Sequence, residues 1–138
     1  MPYAREHKIG VLAYGPLAHG LLTGRLDEHT TFEPGDWRSG NVSFAGETFH
    51  RNLETVRELQ RFATQELDSS VAQLAVAWTL ANPTVQVAIV GARRAKHIEE
   101  AVAATELQLG KHELERIDRI MSNAMAFTGP APELMPTR

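Results

Sequence analysis

Ile9-Gly10-Val11-Leu12-Ala13-Tyr14-Gly15-Pro16-Leu17-Ala18-His19-Gly20-Leu21-Leu22-Thr23-Gly24 is the stretch whose reading decides the fold class. Val11 to Tyr14 form a short, nearly continuous apolar run, the pattern of a strand buried on both faces in a parallel sheet. Gly15-Pro16 stops it, because proline has no N–H for the ladder and glycine accepts backbone angles that other residues avoid. In parallel α/β folds, ligands bind at the loop leaving the carboxyl end of a strand. Tyr14 and the backbone of Gly15 to Gly20 are therefore predicted at the rim of a site.

On the amino-terminal side, Pro2 to Lys8 read as the tail of a helix ended by Gly10, so the chain is expected to begin in the middle of an architecture. On the other side lies a long polar stretch, about 25–48, with the turn residues Pro34-Gly35, Asp36-Trp37 and Ser39-Gly40-Asn41. A connection of that length is read as a lid-like or disordered loop. From about His50 to Leu67, the residues Leu53, Val56, Leu59 or Gln60, Ala63 and Leu67 recur at the helical period, and Asp68-Ser69 breaks the pattern. Ser70-Val71-Ala72-Gln73 fits a capping box for a second helix, with Val71, Leu74, Ala75 and Trp78 as its apolar stripe and Asn82-Pro83 as its stop. Trp78 is expected in the core.

Val85 to Val90 is β-branched and apolar, and predicts a second buried strand. Gly91-Ala92-Arg93-Arg94 leads into a helix over Ala95 to Thr105, with Ile98 and Val102 among its apolar positions. Leu107-Gln108-Leu109 is a short extended link. Gly110 opens a last amphipathic helix carrying Leu114, Ile117, Ile120 and Met121. An irregular tail is expected over about 124–138. Strand, helix, helix, strand, helix, helix is the order of an α/β chain with parallel strands. Two strands are too few for such a sheet, and a closed (β/α)8 barrel takes about 250 residues. The fold class expected is α/β, a partial (β/α)8 barrel in a single partial domain over 1–138, with sheet edges that need covering.

Composition narrows the function classes. Of 138 residues, 43% are hydrophobic and 22% charged, which is ordinary for a globular domain. The formal net charge of −3, with acids and bases interleaved, argues against nucleic acid or a membrane surface as partner. Without cysteine there is no disulfide, thiol nucleophile or Cys-based zinc site. The charged start carries no signal-peptide core, and no apolar run approaches the ~20 residues that span a bilayer. A cytoplasmic protein is the default expectation. The six histidines lack metal-ligand spacing, so no metal is expected.

The stretch from Gly10 to Gly24 closely resembles the aldo-keto reductase superfamily. A second block resembles it in the same order and spacing: Ala72 to Trp78, Ile89-Val90-Gly91-Ala92-Arg93-Arg94, and Glu99-Glu100. The resemblance runs from about Pro2 to Met121. It implies a (β/α)8 barrel that reduces aldehydes and ketones by direct hydride transfer from NADPH, represented here by its carboxyl-terminal portion with the seventh and eighth strands. Tyr14 matches the family's aromatic that stacks on the nicotinamide. Gly15, Pro16, Leu17 and Gly20 match the loop around the pyrophosphate. Gly91, Ala92, Arg93 and Arg94 match the turn that holds the adenosine 2′-phosphate. His97 stands where members often carry Arg or Gln, and Glu100 where a Glu contacts the adenine. Ala101 departs from a commonly found Asn. The family's catalytic Asp, Tyr, Lys and His belong to the first half of the barrel and have no counterparts here, so no catalytic residue is assigned.

Each assignment has a plainer alternative. Tyr14 alone would read as a core aromatic; within the resemblance, its flat apolar face suits a nicotinamide ring. Arg93 and Arg94 are either a solvated helix start or a grip on phosphate through charge-assisted bonds. His97 reads as surface, and Glu99-Glu100 as a solvated face instead of an acid/base pair. His19 is either a pocket residue or a simple loop residue, and Trp37 is exposed or substrate-facing. The expected partners are NADP(H), a small carbonyl substrate in the complete protein, and either self-association or pairing with an amino-terminal half. The other class of reading is a non-enzymatic nucleotide-binding or interaction module that completes its fold by association.

Overall fold

The structure is a computed structural model, and it describes residues 1–125. The expected irregular tail lies outside these residues, save for its first two. Helix α1 (Pro2–Glu6) is one short turn started by its proline, and strand β1 (Val11–Tyr14) follows. Helices α2 (Gly46–Glu66) and α3 (Val71–Leu80) form the crossover to strand β2 (Val85–Ile89). Helices α4 (Ala95–Ala103) and α5 (Lys111–Met121) complete the described chain. Parallel strands require such a crossover, because a hairpin turn cannot return the chain in the same direction.

The capping box forms as read: the Ser70 hydroxyl accepts from the Gln73 N–H, and the Gln73 side chain accepts from the Ser70 N–H. It satisfies two of the orphan donors at the start of α3. The core is built on α2, whose Phe49, Leu53, Val56, Leu59, Phe62 and Ala63 all turn inward. They meet Leu21 and Phe44 from the connecting segments, Val71 and Leu74 from α3, and Ile117 and Ile120 from α5.

The two strands pair in parallel, with Leu12 beside Val87, Ala13 beside Ala88 and Tyr14 beside Ile89. A bulge displaces Gln86, whose side-chain oxygen accepts the Val11 N–H at 2.7 Å in place of a ladder partner.

Four expectations are corrected. The strands are not buried on both faces. The face with Val11, Ala13 and Ala88 is half-buried on the side of α3, whereas Leu12, Tyr14, Val87 and Ile89 are exposed on the other. A sheet of two strands has two open edges, and no described element covers its second face. Trp78 is 47% exposed and not in the core. It continues the stripe of Val71 and Leu74, but at the carboxyl end of α3, where it lines an open groove with Met1, Pro2 and Leu114. Helix α2 begins four residues before His50, so its first turn had been counted as loop. The connection before it is a packed strap and not a disordered loop. It folds into short 3-10 turns at Trp37–Gly40 and Val42–Phe44 and buries Ser43 and Phe44. Helix α4 buries none of its residues, and its apolar Ile98 and Val102 face solvent. Among the described residues, no helix is long and apolar enough to cross a membrane.

Candidate functional site

Parallel pairing brings the carboxyl ends of both strands to one edge of the sheet, with Tyr14 and Ile89 as neighbours on the exposed face. Two loops leave from there. The first, 15–20, is made of unusual backbone: Gly15 has φ 67°, Ala18 45°, His19 54° and Gly20 104°. Ala18 and His19 are left-handed without being glycine, at a cost of order 1 kcal/mol each. Gly20 favours glycine through its φ of 104°, and a Cβ there would also crowd Arg38 Nη1 at 3.3 Å.

Aromatic rings tie this loop to the core. The Tyr14 and His19 rings meet edge-on with centroids 5.9 Å apart, and His19 meets Trp37 in the same manner at 4.9 Å. Trp37 in turn packs on the buried Phe44 at 5.7 Å. Burial and the Arg38 guanidinium both push the His19 pKa below its ordinary value, so the imidazole is neutral at pH 7. Tyr14 thus sits 47% exposed, with one side held by the protein and a broad apolar surface open beside Ile89.

The second loop, 90–94, carries Gly91, Ala92, Arg93 and Arg94, all but its first residue exposed. His97 Nδ1 accepts the Arg93 N–H at 3.3 Å, which ties the turn to α4. His97 is therefore a support for the turn as well as a surface residue. Arg94 is the residue before the first helical turn of α4, where anionic groups are favoured by the helix dipole and the free N–H groups. Glu100 lies further along α4, 3.8 Å from Lys96 in an ion pair.

Of the predicted residues, Tyr14, Gly15, Pro16, Leu17 and Gly20 share the first loop with its strand end. Gly91, Ala92, Arg93, Arg94 and His97 share the second, and Glu100 is the outlying member. Sequence reasoning left Trp37 open between exposed and substrate-facing and missed Arg38; both reach His19 of the first loop from the strap, and Asp36 holds Arg38. The signal was present in the aromatics Phe32, Trp37 and Phe44, which are out of place in a polar loop. Asp36 accepting the Arg38 N–H is a further cue, the turn that Asp forms two residues before its donor. Among the described residues, no three His, Asp or Glu side chains gather as metal ligands.

The chain's sequence was compared with known proteins. The aldo/keto reductase family profile matches residues 1–122. The aldo-keto reductase YhdN of Bacillus subtilis is 35% identical over the whole chain, which spans 42% of that protein. The aldo-keto reductase yakc [NADP(+)] of Schizosaccharomyces pombe is 32% identical over 90% of the chain and 36% of its own length. Among solved structures, a glycerol dehydrogenase from Gluconobacter oxydans superposes with a TM-score of 0.83 and 32% identity, over 98% of this chain and 40% of its own. This chain belongs to the aldo/keto reductase family. It spans about two fifths of the length of the relatives it matches.

Proposed function

We propose that this chain is the carboxyl-terminal, cofactor-binding part of an NADP(H)-dependent aldo-keto reductase, an oxidoreductase built as a (β/α)8 barrel. The observation that carries the reading is the parallel pairing of β1 and β2, which puts Tyr14 with its glycine loop and the Gly91–Arg94 turn at one sheet edge. The residues fit such a group. Tyr14 offers an exposed ring beside Ile89, the left-handed backbone at Gly15 and Gly20 lets a loop lie close to a ligand, and Arg93 and Arg94 are exposed at a helix start. One of the relatives carries NADP(+) in its name.

In this reading Tyr14 is the apolar platform for the nicotinamide, and Gly15, Pro16, Leu17 and Gly20 line the pyrophosphate. Gly91, Ala92, Arg93 and Arg94 take the 2′-phosphate, with His97 holding the turn and Glu100 toward the adenine. When bound, the cofactor supplies a hydride to a carbonyl carbon. The chain's own residues bind and orient; none is assigned the proton transfer.

The test is a calorimetric titration of the chain with NADP+ and NAD+. Arg93→Ala/Arg94→Ala should weaken NADP+ by about tenfold or more and leave NAD+ nearly unchanged, since charge-assisted bonds to the 2′-phosphate are lost. Equal losses for both nucleotides would remove the 2′-phosphate assignment, and no binding by the parent chain would remove the reading. Carbonyl reduction by the pure chain would overturn the absence of catalytic groups.

A second reading is a non-enzymatic module that completes its fold by association. The exposed face of Leu12, Tyr14, Val87 and Ile89 favours it. NADP+-insensitive self-association would point to it.

A further inference from the structure

Arg38 is held on several sides. Its Nε donates to Asp36 Oδ1 at 2.9 Å and its Nη2 to Asp36 Oδ2 at 2.6 Å, a two-point pair. The guanidinium lies over the Phe32 ring, 4.4 Å from its centroid. Its Nη1 then donates to the His19 carbonyl at 3.0 Å. That carbonyl belongs to the second of the loop's two left-handed non-glycine residues, a conformation that persists only where surrounding structure over-determines it. The His19 ring projects between Tyr14 and Trp37. A two-point Arg–carboxylate pair adds geometric constraint as well as energy, and the Asp36 and Arg38 side chains are mostly screened from solvent. The strap thus reaches His19 twice, through the Trp37 ring and through a pre-set guanidinium that holds its carbonyl.

We propose that the Asp36–Arg38 pair is a clasp that positions His19 and, through its ring, sets the Tyr14 platform before cofactor arrives. Its consequence for affinity rests on the cofactor reading given above; its effect on ring positions does not. Arg38 and Asp36 are positioning residues, not catalytic ones. A platform ordered in advance spares the ligand the cost of ordering it on binding. Lysine cannot reproduce the clasp, because a single ammonium cannot bind both Asp36 oxygens in a plane while reaching a carbonyl.

The experiment compares the parent chain with Arg38→Lys and Asp36→Asn. Aromatic NMR signals of His19 and Tyr14, and the methyl signals of Leu53 and Leu74, are read without ligand. NADP+ affinity is then measured by calorimetry. In both variants the His19 and Tyr14 ring signals should move toward values of unstructured side chains while the core methyls stay in place. NADP+ affinity should fall about tenfold in Arg38→Lys. If in Arg38→Lys the core methyl signals also collapse to values of unstructured side chains, it has lost its fold, and Asp36→Asn, which keeps the guanidinium, decides. Unmoved ring signals in the folded variants overturn the clasp. Moved rings with unchanged NADP+ affinity overturn its role in binding. A parent chain that binds no NADP+ removes the cofactor reading alone, and the ring signals still judge the clasp.

Discussion

His19, half-buried between the rings of Tyr14 and Trp37, gives the fold a pH dependence with a definite sign. Its pKa is lowered in the folded state, first by burial and then by Arg38. Below about 6.5, the ordinary value for histidine, the unfolded chain binds a proton that the folded chain resists. The contribution is therefore complete above that pH and is lost as pH falls through the lowered pKa. Urea midpoints measured from pH 7.5 to 5 should decline in the parent chain and decline less in His19→Phe, and parallel curves would remove His19 as the cause. Leu53, 2% exposed at the centre of α2, belongs to the other class of single residue. Leu53→Ala should cost about 2–5 kcal/mol in denaturant unfolding, through lost transfer energy and the cavity left behind. Gly24 lies between them in kind. With φ 70°, an added Cβ would stand 2.9 Å from both Gln60 Oε1 and Val71 Cγ1. Gly24→Ala should destabilise by at least about 1 kcal/mol. Leu53 was legible from periodicity alone. The burial of His19 was not, because Trp37 and Arg38 lie about twenty residues downstream and no local pattern joins them to it.

At the scale of elements, α3 shows how far local chemistry reaches. Its capping box was legible from Ser70 and Gln73 because cap, donor and acceptor sit within four residues. Ser70→Ala should lower the urea midpoint by an amount equal to about 1 kcal/mol, and an unchanged midpoint would mean that the box contributes nothing net. Trp78 lies on the same helix and was misread. Its stripe position was right, but what lies opposite the last turn depends on Met1, Pro2 and Leu114, which arrive from both ends of the chain. The packing of the strap before α2 was not legible for a related reason. Its turns are short and polar, so their pattern resembles a free loop, and only the docking of Phe44 and Arg38 makes it part of the structure.

At the scale of the whole molecule, the sheet is the open question that chemistry can answer. On the sheet, Leu12, Tyr14, Val87 and Ile89 face outward, and both strand edges are open among the described residues. Such edges pair readily with other chains. The sedimentation coefficient of the chain should rise with concentration over the micromolar range, and Leu12→Lys/Val87→Glu should suppress the rise; a monomer at all concentrations would show the face to be tolerated in water. The sequence by itself determined the order and type of the elements, the cap of α3 and the place of Tyr14 at a strand's carboxyl end. Each of these depends on residues within a few positions of one another. Tertiary structure alone decided that Leu12 and Ile89 meet solvent, that Trp78 lines a groove, and that Arg38 holds the loop beneath Tyr14. Those outcomes depend on which distant segments share a surface, and hydrophobic periodicity states that a residue seeks cover without stating what covers it.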